Sequence, residues 1–248
     1  DTPNFIANRI GVYGMMVTLD EARKKNLRIE DVDALTGTLI GRPKSATFRT
    51  SDIVGLDTMC FVANTAYEKC IDDTEKEIFK IPDYLQKMVD NGWPGQKAKQ
   101  GFYKKIDKGV IHSIDLDTLE YTPQKKNRYP GISLAKENTQ VADKIKALVN
   151  SDDTAGQFIW EVTAKALLYS AHRVGEIADD IVNIDRAMRW GFGWSLGPFE
   201  VWDAIGVRQS VGRMKAESRN LPAWVSKMME KGNDTFYKRM EGFNCYWD

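Results

Sequence analysis

The second half of this 248-residue chain restates the first, and that internal repeat limits the possible folds more than any single motif does. Phe158-Ile159 matches Phe5-Ile6, Ile184-Asp185-Arg186-Ala187 echoes Val32-Asp33-Ala34, and Gly193 echoes Gly41. Phe199 with Asp203-Ala204-Ile205-Gly206 echoes Phe48 with Asp52-Ile53-Val54-Gly55. Trp224 to Met228 with Gly232 parallels Tyr84 to Met88 with Gly92, and Phe236-Tyr237-Lys238 parallels Phe102-Tyr103-Lys104. Glycine, proline and aspartate punctuation agrees along with the hydrophobic period, so two copies of one unit, packed about a pseudo-two-fold axis, are expected.

Each unit reads as helical. Thr2 followed by Pro3 suits a helix start, and the stripe from Phe5, Ile6, Ile10 and Val12 through Tyr13 to Leu19 is broad enough for a largely buried helix ending near Asp20 to Lys25. A short helix is predicted around Glu30 to Leu35. Gly37, Gly41 and Pro43 break the chain, after which Ser51-Asp52 open a helix carrying Ile53 to Ala66 towards Cys70. Pro82 starts another that stops at Gly92. Between Gly101 and Pro123, Phe102-Tyr103, Val110 to Ile114 and Leu119 to Tyr121 cluster as short strands and read as a small hairpin, followed by a linker from Thr122 to Tyr129 and a helix at Val141 to Val149. The expected class is all-α: a first helical domain over 1–105, a linker with hairpin and helix over 106–150, and a second, degenerate helical domain over 151–248.

Charge and cysteine content exclude several function classes. Lys+Arg and Asp+Glu each total 35, so no bulk field draws in nucleic acid or an anionic surface. Cys60, Cys70 and Cys245 are spread without a C-x-x-C pair, which points to no disulfide framework or zinc site and suits a reducing cytoplasm. No apolar run is long enough to span a bilayer. The chain opens on Asp1 rather than Met, so a piece of something longer is expected. Nucleotide-binding and nucleophile motifs are missing. His112 and His172 read as surface histidines, and Trp160, Trp190, Trp194 and Trp202 as core or inter-repeat packing.

Asn8 draws attention. With Phe5 three residues before and Val12 four after, helix phase places its amide on the apolar stripe, where it is either a satisfied core asparagine or a group held to bind a carbonyl or orient a reacting atom.

Three ordered segments resemble the C-terminal domain of 3-hydroxyacyl-CoA dehydrogenases. Asp1-Thr2-Pro3-Asn4-Phe5-Ile6-Ala7-Asn8-Arg9 is similar to that family's P-G-F-x-x-N-R start, with Asn4 in place of glycine. Gly41-Arg42-Pro43 through Phe48 and Asp52 to Thr58 is similar to its G-x-P-x-G-P-F…D-x-V-G-L-D-T, with Ser45-Ala46-Thr47 departing from it. Gly95 to Tyr103 is similar to its closing G-x-K-x-G-x-G-F-Y. The resemblance covers residues 1 to about 105 well and the second copy more faintly.

It implies oxidation of (3S)-3-hydroxyacyl-CoA to 3-ketoacyl-CoA in fatty-acid β-oxidation. NAD and a catalytic histidine oriented by a glutamate would sit on a separate N-terminal Rossmann domain, so this piece alone would be inactive. Asn8 would help orient the histidine and the substrate oxygen, Lys97 would reach NAD, and Phe5, Val12 and Met15 would be candidates for the acyl-facing wall. A fused enoyl-CoA hydratase domain and a homo-oligomer are further implied partners. Glu161 stands where the repeat projects Asn8, so the second copy is expected to have lost that position. The alternatives are a non-catalytic helical dimerisation or scaffold module, and a dehydrogenase of small 3-hydroxy acids, which the F-I-x-N-R start argues against.

Overall fold

The computed structural model describes residues 2–240 and 243–246. Its first repeat runs α1 (Ala7–Lys24), α2 (Ile29–Thr36), α3 (Phe48–Val54), α4 (Leu56–Lys69), α5 (Asp83–Asp90) and β1 (Tyr103–Asp107). After β2 (Val110–Ile114), β3 (Tyr121–Pro123), α6 (Pro130–Lys136) and α7 (Val141–Val149), the order recurs as α8 (Thr154–His172), α9 (Ile181–Phe192), α10 (Pro198–Ile205), α11 (Val207–Ala216), α12 (Ala223–Glu230) and β4 (Tyr237–Met240), closed by β5 (Phe243–Tyr246). The fold is therefore predominantly helical and built twice, as the repeat required. The predicted hairpin gains a third strand: β1, β2 and β3 form an antiparallel sheet in that order, with Tyr103 opposite Ser113 and His112 opposite Pro123.

Three boundaries differ from expectation. Residues 3–6 form a turn, not the first helical turn, because Asn4 and Phe5 hold φ of 65° and 50°, which no right-handed helix admits. Asn4, which stands where the related motif has glycine, thus occupies the left-handed conformation, which asparagine tolerates better than most side chains. The single helix predicted from Ser51 to Cys70 is two, broken at Gly55 with φ 104°, where the Leu56 amide leaves the helix ladder for the Pro94 carbonyl at 2.8 Å. The helix α6 lies beyond the stretch read as linker; Pro130 occupies its first turn, with Tyr129 extended before it.

Equivalent aspartates tie each repeat together in the same way. Asp33 accepts from the Thr47, Phe48 and Arg49 amides and the Tyr103 hydroxyl, while Asp185 accepts from the Phe199 and Glu200 amides and the Tyr237 hydroxyl. Asp52 accepts from the Phe102 and Tyr103 amides, and Asp203 from the Phe236 and Tyr237 amides. Asp33 and Asp185 thus join the returning strand's tyrosine to helix-start amides that would otherwise be orphans, while Asp52 and Asp203, inside α3 and α10, hold the returning chain by its own amides.

The repeats join along α1 and α8, which pack together in one continuous core. Their glycine corners meet reciprocally, as a pseudo-two-fold relation demands. The Ser195 amide donates to the Gly41 carbonyl at 2.7 Å, Pro43 approaches Gly193, and between them Arg42 lies 4.4 Å from the centre of the Trp194 ring. Gly41 has φ 70°, and a Cβ there would stand 2.7 Å from Val141 Cγ1; Gly92 has φ 73° and open space around it. Gly41→Ala is therefore expected to cost roughly 2–3 kcal/mol, strain plus clash, against about 1 kcal/mol of strain for Gly92→Ala. Equal midpoint shifts in urea for the two variants would remove the corner from the account of the interface.

Candidate functional site

The exposed groups of interest gather at the start of α1 and along one face of α4. Asn8 is exposed, and its amide makes no hydrogen bond among the described residues. Phe5 beside it is 68% exposed on its left-handed backbone. The Asn4 side chain donates to the Val62 carbonyl at 3.0 Å, tying this turn to α4, where Phe61 stands 73% exposed. One turn earlier on the same face, Asp57 holds Lys97 at 2.6 Å. Ile53 and Val54, 56% and 52% exposed, are further exposed apolar groups at the end of α3, Ile53 in a groove with Arg49, Tyr103 and Ile111.

The helix-phase argument that grouped Phe5, Asn8 and Val12 fails, because Phe5 precedes the helix and Val12 is buried at 5% exposure. Val12 belongs to the core and Met15 packs against it, whereas Phe5 is exposed. Asn8 is exposed on the open side of the first turn of α1, whose Arg9 and Ile10 are buried. Lys97 and Asp57 are both largely exposed, so their ion pair contributes little to stability and leaves the ammonium accessible. Trp190, expected to pack inside, is 79% exposed and lines an open groove of about 590 Å³ with Phe5, Ile6, Ala187 and Ile177. In the second repeat Glu161 is engaged by Arg219 at 2.7 Å and offers no free amide equivalent.

Directly behind Asn8 lies a buried polar cluster. Arg9, 1% exposed, donates from Nε to the Tyr169 hydroxyl at 2.6 Å, from Nη2 to Asp73 at 2.7 Å and to Glu176 at 3.2 Å, and from Nη1 to the Cys70 sulfur. The Tyr169 hydroxyl in turn donates to Asp73 at 2.7 Å, and Arg173 reaches Asp73 at 3.3 Å and Glu176 at 2.9 Å. Tyr13 stacks on Tyr169 with ring centroids 3.7 Å apart and donates to Glu75. Burial opposes ionisation of Asp73, yet hydrogen bonds from Tyr169, the Glu75 amide and Arg9 outweigh it and hold the carboxyl below its ordinary range. Burial likewise works against the Arg9 charge, and Tyr169 with Asp73 more than restores it. Burial and neighbouring anions push both phenols upward, so Tyr13 and Tyr169 remain donors.

Sequence reasoning quoted Arg9 only as part of a motif and missed Asp73, Tyr169, Arg173 and Glu176. The available signal was phase: Arg9 shares its helix face with Tyr13 and Met16, both in the core, so its charge required a buried acid. Which acid would answer it was beyond local pattern, since the partners lie in a loop and in the other repeat.

Both sheets among the described residues are antiparallel, whereas the glycine-rich dinucleotide turn needs a parallel strand–helix unit. His172 Nε2 lies 3.0 Å from the Asn220 carbonyl oxygen, and His112 sits in β2, neither beside Asn8.

The chain belongs to the family of 3-hydroxyacyl-CoA dehydrogenase C-terminal domains, whose model matches it twice, over residues 5–105 and 158–244. Among curated proteins, the "Probable 3-hydroxyacyl-CoA dehydrogenase" of Bacillus subtilis (strain 168) is 52% identical over 248 residues, 100% of this chain and 31% of the relative. A "Probable 3-hydroxyacyl-CoA dehydrogenase" of Deinococcus radiodurans is 44% identical over 105 residues, 42% of this chain and 30% of the relative. The chain thus spans about a third of the length of these relatives. A crystal structure of 3-hydroxybutyryl-CoA dehydrogenase from Escherichia coli K12 shares the fold at a TM-score of 0.52 and 16% identity, covering 93% of this chain and 61% of that one. No helix among the described residues is long and apolar enough to cross a membrane.

Proposed function

We propose that this chain supplies the helical half of the active-site cleft in an NAD-dependent dehydrogenase that oxidises (3S)-3-hydroxyacyl-CoA to 3-ketoacyl-CoA, in the manner of fatty-acid β-oxidation. The observation that carries this reading is Asn8: an exposed, unbonded amide on an ordered helix start, beside the exposed Phe5. An amide in that setting donates to a substrate oxygen and accepts from a protonated base, and it contributes most where apolar surroundings exclude water. The base and NAD come from residues outside this chain, on an adjoining Rossmann domain that covers Phe5, Phe61, Ile53 and Val54, with Lys97 placed along the same face of α4 to approach the cofactor. Family matches over residues 5–105 and 158–244 support domain boundaries near residues 105 and 150, with β2, β3, α6 and α7 between them.

The test is turnover by the longer protein containing this chain, followed as NADH consumption with acetoacetyl-CoA. Asn8→Ala is expected to lower kcat about a hundredfold, the scale of one oriented donor. The unfolding midpoint should not move, because the Asn8 side chain makes no hydrogen bond among the described residues. Undiminished turnover would remove Asn8 from the mechanism.

A further inference from the structure

We propose that Tyr169 and Glu176, both contributed by the second repeat, are positioning residues for Asn8. By gripping Arg9 they fix the first turn of α1, so the repeat that lacks the asparagine completes the site of the repeat that carries it. The proposal rests on the reading of Asn8 given above.

Nothing local holds the start of α1. Its N-cap, Ile6, makes no side-chain capping bond, its first turn carries no acidic residue, and the two preceding left-handed residues favour unwinding rather than continuation. A helix end in that condition frays unless tertiary contacts hold it. Here they do, and they come from both repeats: Asn4 donates to the Val62 carbonyl and Arg9 bonds Asp73 and Cys70 in the first, and the second supplies the rest. Arg9, the residue after Asn8, is bonded by Tyr169 and Glu176, while Arg173 completes the charge balance on Asp73. One turn on, Tyr13 lies flat against the same Tyr169. From the other side α9 closes in: a Cβ on Gly11 would stand 2.1 Å from the Phe192 ring, and one on Gly191 would stand 2.9 Å from Ala7. Ala7, Arg9, Gly11 and Tyr13 are all held by the second repeat, and Asn8 projects free from the turn they anchor. A reacting group displaced by about 1 Å loses on the order of a hundredfold in rate, so this grip has catalytic weight.

The experiment uses the longer protein with NADH and acetoacetyl-CoA. Tyr169→Phe keeps the ring stack and removes the hydroxyl that links Arg9 to Asp73. It is expected to lower kcat about tenfold with KM held within about twofold, and to speed deuterium exchange in the peptide spanning residues 5–13 about tenfold. Glu176→Gln, at a half-exposed position that tolerates change, should shift both readouts in the same direction by less. In an Asn8→Ala background, Tyr169→Phe should cause no further loss of kcat, because the positioned group is already gone. Unchanged exchange in Tyr169→Phe, or an undiminished second loss of kcat in the Asn8→Ala background, would overturn the proposal while leaving the reading of Asn8 intact. Normal turnover by Asn8→Ala alone would instead overturn that reading and the positioning role together.

Discussion

Asp73→Ala is expected to destabilise the chain by about 3–5 kcal/mol, the scale on which a buried arginine loses its acid. Asp73 is fully buried and is the one carboxylate that Arg9, Arg173 and Tyr169 all share. Its removal leaves the Arg9 guanidinium, 1% exposed, with only the half-exposed Glu176 as counter-charge, and leaves the Tyr169 hydroxyl without its acceptor. Asp57→Ala is the matched control. Asp57 also pairs with a cation at 2.6 Å, but on the surface, so its loss should cost no more than about 1 kcal/mol. Urea unfolding of both variants decides the matter: a cost for Asp73→Ala within about 1 kcal/mol of the control would mean that water reaches the cluster and the arginines need no acid.

That cluster also marks where the sequence stops being readable. The repeat was legible because both copies need the same punctuation: Gly41 and Gly193 take left-handed corners, and Asp33, Asp52, Asp185 and Asp203 receive the same amides in each copy. Such pairs survive as identical letters at matched positions. The cross-repeat contacts carry no such trace, since Arg9, Asp73 and Tyr169 are joined by folding and by nothing in their spacing. Asn8 was singled out on a helix phase that does not hold, because Asn4 and Phe5 turn left-handed and take Phe5 off the helix. Its exposure follows instead from its side of a turn whose Arg9 and Ile10 face the core. Trp190 misled for the opposite reason: aromatic burial is the common fate, yet this ring rims the groove beside Phe5.

Lowering the pH from about 7.5 to about 5.5 should stabilise the fold, and the four stapling aspartates are the cause. Burial pushes Asp33, Asp52 and Asp203 up to about 6 and Asp185 up to about 7, against the amide and phenol bonds that favour their ionised forms. In the unfolded chain a carboxyl titrates near ~3.9, so the folded state binds these protons more tightly. Their contribution is complete below that value and is lost as pH rises through 6 and 7. Asp73, Glu21 and Glu217 shift the other way, and their contribution is lost only as pH falls below the ordinary carboxylate range, outside this window. For the two most buried groups, Asp52 and Asp185, the gain between those pH values is on the order of 2–3 kcal/mol, or several degrees in Tm for a chain of this size. Thermal unfolding followed by tryptophan fluorescence reads it directly, and Asp185→Asn, which cannot take up a proton, should flatten the slope even though it lowers the midpoint. A Tm that climbs from about pH 5.5 to 7.5 would show that the amides outweigh burial. The staples would then be permanent anions, and each helix start they bind would be held by full charge rather than by a carboxyl poised to take up a proton.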